Sequence, residues 1–359
     1  MTDSAQIGLR KWPVAVLGAT GAVGQTFVRL LENHPWFQVA EVAASERSAG
    51  RKYGEVTRWI EGTMPESVRD MDVVIVDPAS IRSPIVFSAM DSSVAGAFEE
   101  AFAKAGRFVL SNAKNHRMEP DIPLVIPEVN PSQLSIIPRQ QQVRGWTGAI
   151  ITNANCAATV AAMALAPLHE KYRISKLFIA TMQAVSGAGY PGVASLDILG
   201  NVVPHIADEE PKLEREMCKL LGGFANGEIT LSEMQVSSHT NRVPVEHGHT
   251  VCMSVEFDVD PGVNAAIDTL RKWNGAKESR GLPSSPERPL IYMDAVDRPQ
   301  PRRDVNTGNG MTVSVGRVRT DPLFHLRLVA TGHNTIRGAA GGSVLNAELL
   351  ASKGVIPPA

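Results

Sequence analysis

The chain has 359 residues, of which 43% are hydrophobic and 20% charged, a composition typical of globular proteins and a length sufficient for two domains. Its net charge of −2 gives no basic surface, so we expect neither nucleic acid nor an anionic membrane as a partner. The apolar runs, such as 157–168, are shorter than the roughly 20 residues that span a bilayer, and the polar stretch 1–11 is not a signal peptide.

The first part of the chain alternates between predicted strands and predicted helices. An apolar run over 14–17 leads into a glycine turn over 18–24, and Phe27, Leu30 and Leu31 then share one helical face. Further strands are predicted over 37–44, 73–76, 84–88 and 107–110, with a helix over 94–105. This alternation predicts an α/β fold with a parallel, doubly wound sheet.

The pattern changes after residue 150. A helix is predicted over 156–170 and a strand over 176–183, while apolar and polar residues alternate over 251–258, as they do over 311–318 and 324–330. Such alternation is typical of antiparallel strands with one wet face. A proline-rich loop covers 277–289, and an amphipathic helix over 335–352 is expected to return to the first domain. We therefore predict a dinucleotide-binding domain over 1–155, completed by 333–359, and an α+β domain with a mainly antiparallel sheet over 156–332.

The glycine turn is a candidate nucleotide site. Gly18, Gly21 and Gly24 lie between a buried strand and a helix, where glycines let the backbone approach a pyrophosphate at the positive helix end. The spacing is GxxGxxG rather than GxGxxG, and a plain strand-to-helix turn is the alternative. With the glycines we assign Thr20, Ala22 and Val23 to this site.

The end of the second strand indicates which dinucleotide is bound. NAD-binding proteins usually have an acid there for the ribose 2′-hydroxyl, whereas the NADP 2′-phosphate requires hydroxyl groups and cations. Ser45, Arg47 and Ser48 suit a phosphate, and Glu46 is compatible only if it points outward. A solvated basic loop is the alternative, but NADP is the favoured cofactor.

One of the three cysteines stands out by its position. Cys156 begins a predicted helix, where free backbone N–H groups and the helix dipole stabilise a thiolate. Cys218 lies in a charged helix and Cys252 inside a strand. The odd number and the absence of CxxC spacing argue against a disulfide framework or a cysteine zinc site, and favour a reducing cytoplasm.

A reactive thiol needs a proton shuttle, and the segment 241–250 is the densest candidate among nine histidines. It contains Arg242, followed by His247 and His249, with Gly248 between them. The two histidines could instead bind a metal ion, but no third ligand is apparent, so no metal is predicted.

Several longer motifs follow one another along the chain. They are SNAKNHRM at 111–118, NC at 155–156, MQAVSGAGYPG at 182–192, EEPK at 209–212, NRVPV at 241–245 with GHT at 248–250, and HNTIRGAAGG at 333–342. In this order they resemble the aspartate-semialdehyde dehydrogenases of fungi and archaea, over essentially the whole length.

The resemblance implies roles for the matching residues. Cys156 would attack an acyl phosphate or aldehyde, His249 would be its acid/base and Gln183 would orient the substrate. The residues implied to bind the substrate are Arg242 for the α-carboxylate, Glu209 for the α-ammonium, Arg117 and Lys212 for phosphate, and Asn155. The residues implied to lie near the cofactor are Ser186, Gly187 and Asn334 at the nicotinamide, and Ser88 and Ala89 beside the dinucleotide.

Several of these residues have simpler alternative explanations. Glu209 and Lys212 could be a solvated i, i+3 pair on a helix, Arg117 a surface residue, and Gln183 a partner for a strand end. The sequence also departs from the family at Ala157 and Ala158, where small hydroxyl residues are usual. We expect backbone N–H groups to remain available there.

The implied reaction is the NADPH-dependent conversion of L-4-aspartyl phosphate to L-aspartate 4-semialdehyde and phosphate through a Cys156 thioester. A malonyl-CoA reductase is the nearest rival, although its substrate has no amino group for Glu209 to bind. A non-catalytic NADP-binding regulator is the rival from another class. The family suggests a homodimer or homotetramer, with the wet face of the second sheet as the interface.

Overall fold

A computed structural model describes residues 11–358, so most of the stretch 1–11, for which we predict no signal peptide, lies outside the described residues. The first sheet is entirely parallel and has the strand order β3-β2-β1-β4-β5-β6. Its strands are β1 (Trp12–Leu17), β2 (Phe37–Ala44), β3 (Val74–Ile75), β4 (Ile85–Ser88), β5 (Phe108–Ser111) and β6 (Ala149–Thr152). The order reverses between β1 and β4, and in doubly wound sheets ligands bind in the crevice at such a point.

The remaining elements of the first half cover this sheet. Its helices are α1 (Ala22–Leu31), α2 (Tyr53–Val56), α3 (Glu66–Arg69), α4 (Ser92–Lys104) and α5 (Ile137–Arg144), with a 3₁₀ helix at Pro131–Ile136. The glycine turn before α1 is tightly packed. Gly18 has φ +70°, and a Cβ on Gly24 would lie 2.2 Å from the Gly18 carbonyl oxygen. Only glycine therefore allows α1 to begin so close to β1.

The second sheet is mixed, with the order β10-β7-β11-β14-β13-β12. Its strands are β7 (Ile174–Gln183), β10 (Gln235–Arg242), β11 (His249–Phe257), β12 (Leu290–Met293), β13 (Val313–Thr320) and β14 (Leu326–Gly332), and β8 (Gly223–Ala225) and β9 (Glu228–Thr230) form a separate hairpin. The pairs β7–β11, β11–β14 and β14–β13 are antiparallel. The prediction of an α/β fold with a second, mainly antiparallel sheet is confirmed.

Helix α6 (Cys156–Tyr172) joins the two sheets and is buried on nearly all sides. The other helices of the second half are α7 (Ser195–Ile198), α8 (Glu209–Leu220), α9 (Val263–Lys272), α10 (Pro301–Asp304) and α11 (Gly341–Ser352), with 3₁₀ helices at Val185–Ala188, Lys277–Ser279 and Thr307–Gly310. Within residues 11–358, no helix combines the length and apolar character that a membrane crossing requires.

The last helix returns to the first sheet, but it is not amphipathic. A π-helical turn at Ile336–Ala340 precedes α11, and every residue over 341–350 is buried. Its apolar residues join the core around β1 and α1, and Glu348 accepts hydrogen bonds from His34 Nε2 at 2.7 Å and the Ser284 N–H at 3.0 Å. The prediction of a polar face was wrong because its polar residues have partners inside the protein.

The π-helical turn is anchored by a fully buried ion pair. Arg337 donates to both carboxylate oxygens of Glu128, and both side chains are 1% exposed. We expect Glu128→Gln to leave the buried guanidinium without its counter-ion, which costs about 3–5 kcal/mol. Urea unfolding measures the loss. The same change at Glu66, whose pair with Arg69 is solvent-exposed, should leave the midpoint almost unchanged, and equal effects of the two changes would contradict this assignment.

Candidate active site

Three strand ends of the second sheet meet the start of α6. Strands β7 and β10 are parallel and end beside each other at Gln183 and Arg242, while the antiparallel strand β11 begins there at His249. Cys156 is the first residue of α6. The fold thus brings together side chains that are between 27 and 93 residues from Cys156 in sequence.

The thiol and the imidazole are in direct contact. Cys156 Sγ lies 3.0 Å from His249 Nε2, and the Ala184 N–H donates to His249 Nδ1 at 3.1 Å. Because Nδ1 accepts a hydrogen bond, the proton of the neutral ring lies on Nε2 and points toward the sulfur. His249 is therefore arranged as a donor to Sγ.

Burial keeps this pair uncharged at neutral pH. Burial raises the pKa of the Cys156 thiol to about 12; Glu209 raises it further, whereas Arg117 and Arg242 lower it. Burial also lowers the pKa of His249 to about 3, assisted by the charge of Arg242. The resting site therefore holds a thiol beside a neutral imidazole, and nearby guanidinium groups favour ionisation of the thiol.

Asn155 caps the helix that carries the thiol. Its Oδ1 accepts hydrogen bonds from the N–H groups of Ala157 and Ala158 at 2.9 and 3.0 Å. Residues with hydroxyl groups are usual at these two positions in the family that the sequence resembles. Here the Asn155 side chain satisfies both backbone N–H groups, so the missing hydroxyl groups leave neither amide without a partner. The Ala157 amide still acts to lower the pKa of Cys156.

Glu209 connects the cap to the end of β7. Its Oε1 accepts hydrogen bonds from Asn155 Nδ2 at 2.8 Å and Gln183 Nε2 at 3.0 Å. Its Oε2 lies 3.7 Å from the Lys212 ammonium, and Glu209 itself is only 6% exposed. The pair is thus an i, i+3 pair, as the alternative explanation suggested, but Glu209 is buried near the thiol while Lys212 is partly exposed.

Arg242 and His249 face a glycine. A Cβ on Gly187 would lie 2.9 Å from Arg242 Nη1 and 3.0 Å from His249 Cε1, so a larger residue would crowd both. Arg242 Nη1 donates to the Ala184 carbonyl at 2.8 Å, which orients the guanidinium. The buried guanidinium retains further N–H groups for an anionic ligand.

Arg117 is not a surface residue. It is 8% exposed, and it donates to Glu216 from Nη1 at 2.9 Å and to the Asn112 carbonyl from Nη2 at 2.7 Å. The surface explanation for Arg117 is therefore excluded. Sequence reasoning missed Glu216, since nothing in the spacing of a charged helix indicates which acid faces inward.

A polar cluster lies beside Cys156 and His249. The Ser186 hydroxyl accepts from Asn334 Nδ2 at 2.8 Å and lies 3.1 Å from His247 Nδ1. Asn334 Oδ1 in turn accepts from the Gly248 N–H at 2.9 Å, and the ring of His247 stacks on His333. His247 therefore faces Ser186, while His249 faces the thiol.

A cleft runs from the glycine turn to this cluster. Its outer cavity measures about 950 Å³ and its inner cavity about 640 Å³, and Ala22, Gly189 and Tyr190 line both. The predicted cofactor residues that line the outer cavity are Gly18, Thr20, Gly21, Ala22, Val23, Ser45, Arg47 and Ala89. Ser186 lines the inner cavity. The first turn of α1 has no side-chain cap, so its amides suit a pyrophosphate, and the cleft fits a dinucleotide.

Other predicted cofactor residues lie behind or outside the cavity walls. Gly24 packs against Gly18, Ser88 is fully buried at the end of β4, and Ser48 follows the lining residues of the β2 loop. Glu46 is exposed but lines the outer cavity beside Arg47, so the structure does not show it pointing away from the cavity, as the binding of a phosphate there requires. The lining residues that sequence reasoning missed are Ala44, Ile75, Val76, Met90, Asp91, Val94, Phe98, Ala188, Gly189 and Tyr190.

A metal role for His247 and His249 has no support in the geometry. Among residues 11–358, no group of three or more His, Cys, Asp or Glu side chains is placed to hold a metal ion. Both ring nitrogens of His249 are engaged, one with Cys156 and one with Ala184.

Known proteins share this architecture. The family model described as semialdehyde dehydrogenase, NAD binding domain, matches residues 13–137, and the one described as semialdehyde dehydrogenase, dimerisation domain, matches 165–337. An aspartate-semialdehyde dehydrogenase of Methanothermobacter thermautotrophicus is 48% identical over 94% of this chain and 98% of its own length. An aspartate-semialdehyde dehydrogenase of Cryptococcus neoformans is 45% identical over 96% of this chain and 98% of its own length.

A solved structure agrees with the sequence relatives. The aspartate-semialdehyde dehydrogenase of Candida albicans, determined with NADP, is 42% identical, covers 97% of this chain and 100% of its own, and superposes with a TM-score of 0.89. Together with the arrangement of thiol, imidazole and dinucleotide cleft, these similarities show that the chain belongs to the aspartate-semialdehyde dehydrogenase family.

Proposed function

We propose that the chain catalyses the NADPH-dependent reductive dephosphorylation of L-4-aspartyl phosphate to L-aspartate 4-semialdehyde, a step of aspartate-family amino-acid biosynthesis. The contact of 3.0 Å between Cys156 Sγ and His249 Nε2 carries this proposal; Ser186 lines the inner cavity, and the next residue, Gly187, faces His249. The relatives bearing the name aspartate-semialdehyde dehydrogenase support the substrate.

Cys156 acts as the nucleophile and His249 as its acid/base. The Cys156 thiol loses its proton as the sulfur bonds to the acyl carbon and the carbon–oxygen bond to phosphate breaks, so the products are a thioester and a hydrogen phosphate that carries the thiol's proton. The Nε2 proton of His249 points at the sulfur, so it is available to the sulfur and to an oxygen on the carbon bonded to it.

The charges around the thiol complement the substrate. Arg242 binds the α-carboxylate through the donors that the Ala184 carbonyl leaves free. Glu209 receives the α-ammonium, and Gln183, held by Glu209 at 3.0 Å, orients the acyl group. Arg117, Lys212 and Asn155 complete the substrate site, the two cations on the side of the phosphate.

The cleft residues hold the cofactor. The α1 amides and the glycine turn take the pyrophosphate, Ser45, Arg47 and Ser48 take the 2′-phosphate, and Ser88 and Ala89 support the dinucleotide at the end of β4. Ser186, Gly187 and Asn334 face the nicotinamide, and bound NADPH supplies the hydride. The NADP of the Candida albicans relative supports this choice of cofactor.

We further propose that the ranges 1–155 with 333–359 and 156–332 form the two domains, and that the enzyme acts in the cytoplasm as a homodimer or homotetramer. The dimerisation family model over 165–337 supports association through the second domain. On the sheet face away from α6, Phe178, Cys252 and Val329 are half-buried and Met182 is 36% exposed, which suits a partner surface.

The two rival functions are not favoured. A malonyl-CoA reductase has no ammonium to place at Glu209, which lies buried near the thiol. A regulator without catalysis does not need a thiol and an imidazole in hydrogen-bond contact. The relatives named above are all dehydrogenases of aspartate semialdehyde.

The nucleophile is tested by Cys156→Ser. We expect phosphate-dependent NADP reduction with aspartate semialdehyde to fall by about 10³-fold or more, because the hydroxyl is a far weaker nucleophile than the thiolate. Cys218→Ser, whose hydroxyl can keep the hydrogen bond of the thiol to the Met234 carbonyl, serves as the matched control and should retain activity. Full activity in Cys156→Ser, or turnover of a CoA thioester in place of the acyl phosphate, would overturn the proposal.

The reactivity of the thiol should depend on pH. Because burial raises the pKa of Cys156 to about 12, the thiolate fraction rises with pH and is lost as the pH falls. We expect the iodoacetamide alkylation rate at Cys156, without ligands, to rise about tenfold per pH unit from 7 to 9, beyond the usual thiol pKa of about 8.5. Cys156→Ser supplies the background from the other two cysteines, and a plateau below pH 8 contradicts the prediction.

The cofactor preference is tested at the β2 loop. We expect Arg47→Ala to raise the KM for NADP about tenfold, because a charged hydrogen bond to phosphate contributes roughly 1.5 kcal/mol or more. The KM for NAD should not change. Arg51→Ala removes the same charge outside the cavity lining and is the control. An equal change for both cofactors would assign Arg47 a different role.

A further inference from the structure

The acid that faces Arg117 also reaches the peptide that precedes the nucleophile. Glu216 is 2% exposed, its Oε1 accepts from Arg117 Nη1 at 2.9 Å, and its Oε2 accepts from the Asn155 N–H at 2.6 Å. The carboxylate of Glu216 therefore connects the guanidinium of Arg117 to Asn155, the N-cap residue of helix α6.

Helix α8 holds Asn155 by both its backbone and its side chain. Glu216 accepts from the backbone N–H, and Glu209, seven residues earlier and so on the same helix face, accepts from Nδ2 at 2.8 Å. Asn155 Oδ1 then remains directed at the N–H groups of Ala157 and Ala158. The orientation of the first turn of α6 depends on these hydrogen bonds.

The same helix also holds the backbone around Arg117. The ammonium of Lys219, 1% exposed, donates to the carbonyls of Arg117, Glu119 and Ile122, each at 2.7 Å. Lys219 therefore places the loop that carries Arg117, and Glu216 places its guanidinium. No described residue accepts from Arg117 Nε, which is buried, so the guanidinium has unused donor capacity.

We infer that Glu216 is a positioning residue that sets Arg117 and the Asn155–Cys156 turn at a fixed distance from each other. This inference rests on the proposed function, in which Arg117 lies on the phosphate side of the thiol. Neutral glutamine cannot replace it: each carboxylate oxygen accepts one donor, whereas an amide has a single acceptor and would turn its NH₂ toward a second donor.

The test is Glu216→Gln, assayed in the oxidative direction with aspartate semialdehyde, NADP and inorganic phosphate. We expect kcat/KM for phosphate to fall about 10- to 100-fold, as for groups that orient a reactive set from outside it. The KM for NADP should stay within about twofold, since the dinucleotide cleft does not involve Glu216.

A second readout separates positioning from general damage. With its partner removed, Arg117 remains an uncompensated cation near the thiol, so iodoacetamide alkylation of Cys156 should become faster at pH 7 although turnover becomes slower. A variant that is merely unstable would expose all three cysteines, so faster alkylation confined to Cys156, with Cys218 and Cys252 at their wild-type rates, distinguishes positioning from unfolding. Glu214→Gln is the matched control on the same helix, because Glu214 accepts from Ser238 on β10 through one oxygen, which an amide can imitate.

If Glu216→Gln does not fold, Glu216→Asp retains the charge but is one methylene too short to reach both donors. It should also raise the KM for phosphate. If either folded variant has the phosphate kinetics and the Cys156 alkylation rate of the wild type, the inference is overturned. Absence of phosphate-dependent turnover in the wild type overturns the proposed function instead, and alkylation then still decides whether Glu216 sets the environment of Cys156.

Discussion

The contact between Cys156 and His249 depends on the position of helix α6. Cys156 begins this helix, which follows the last strand of the first sheet, whereas His249 begins strand β11 of the second sheet. Residues 157–168 of this helix are buried, and the helix contacts β11, β13 and β14, helices α8 and α9, and the π-helical turn. Such burial leaves the helix little freedom to shift. The 3.0 Å approach of thiol and imidazole therefore results from the packing of the whole interior.

Several of the charges in this interior are compensated by a partner. Arg117 faces Glu216, Arg337 faces Glu128, and Glu209 accepts from two amides and lies near Lys212. Isolated buried charges are costly, so a resting thiol beside a neutral imidazole is the form that the site stabilises. The guanidinium groups of Arg117 and Arg242 then provide the positive potential that ionisation of the thiol requires.

The C-terminal segment contributes directly to the site. A Cβ on Gly338 would lie 2.7 Å from the Cβ of Cys156, so the π-helical turn contacts the nucleophile without space for a side chain. Asn153 Nδ2 donates to the Ala339 carbonyl at 3.0 Å and ties this turn to the peptide before α6. π-Helical turns are frequent at functional sites, and here the turn lets the chain pass from β14 to the first core across the thiol.

The sequence by itself determined the local features: the glycine turn after β1, the helix that begins at Cys156, the alternating strands, and the order of motifs that indicates the family. These depend on neighbouring residues, whose periodicity and backbone requirements can be read directly. The sequence did not determine that α11 is buried on all sides, because its polar residues are satisfied by His34, Ser284 and Val125, far away in the chain.

Only the tertiary structure decided which nitrogen of the His249 ring bears the proton and which acid faces Arg117. Arg117 and Glu216 are 99 residues apart, and Cys156 and His249 are 93 apart. Contacts at such separations arise from the packing of strands and helices, which leaves no trace in local spacing. The residue types therefore indicated the chemistry, while the partners of each charge were determined by the fold.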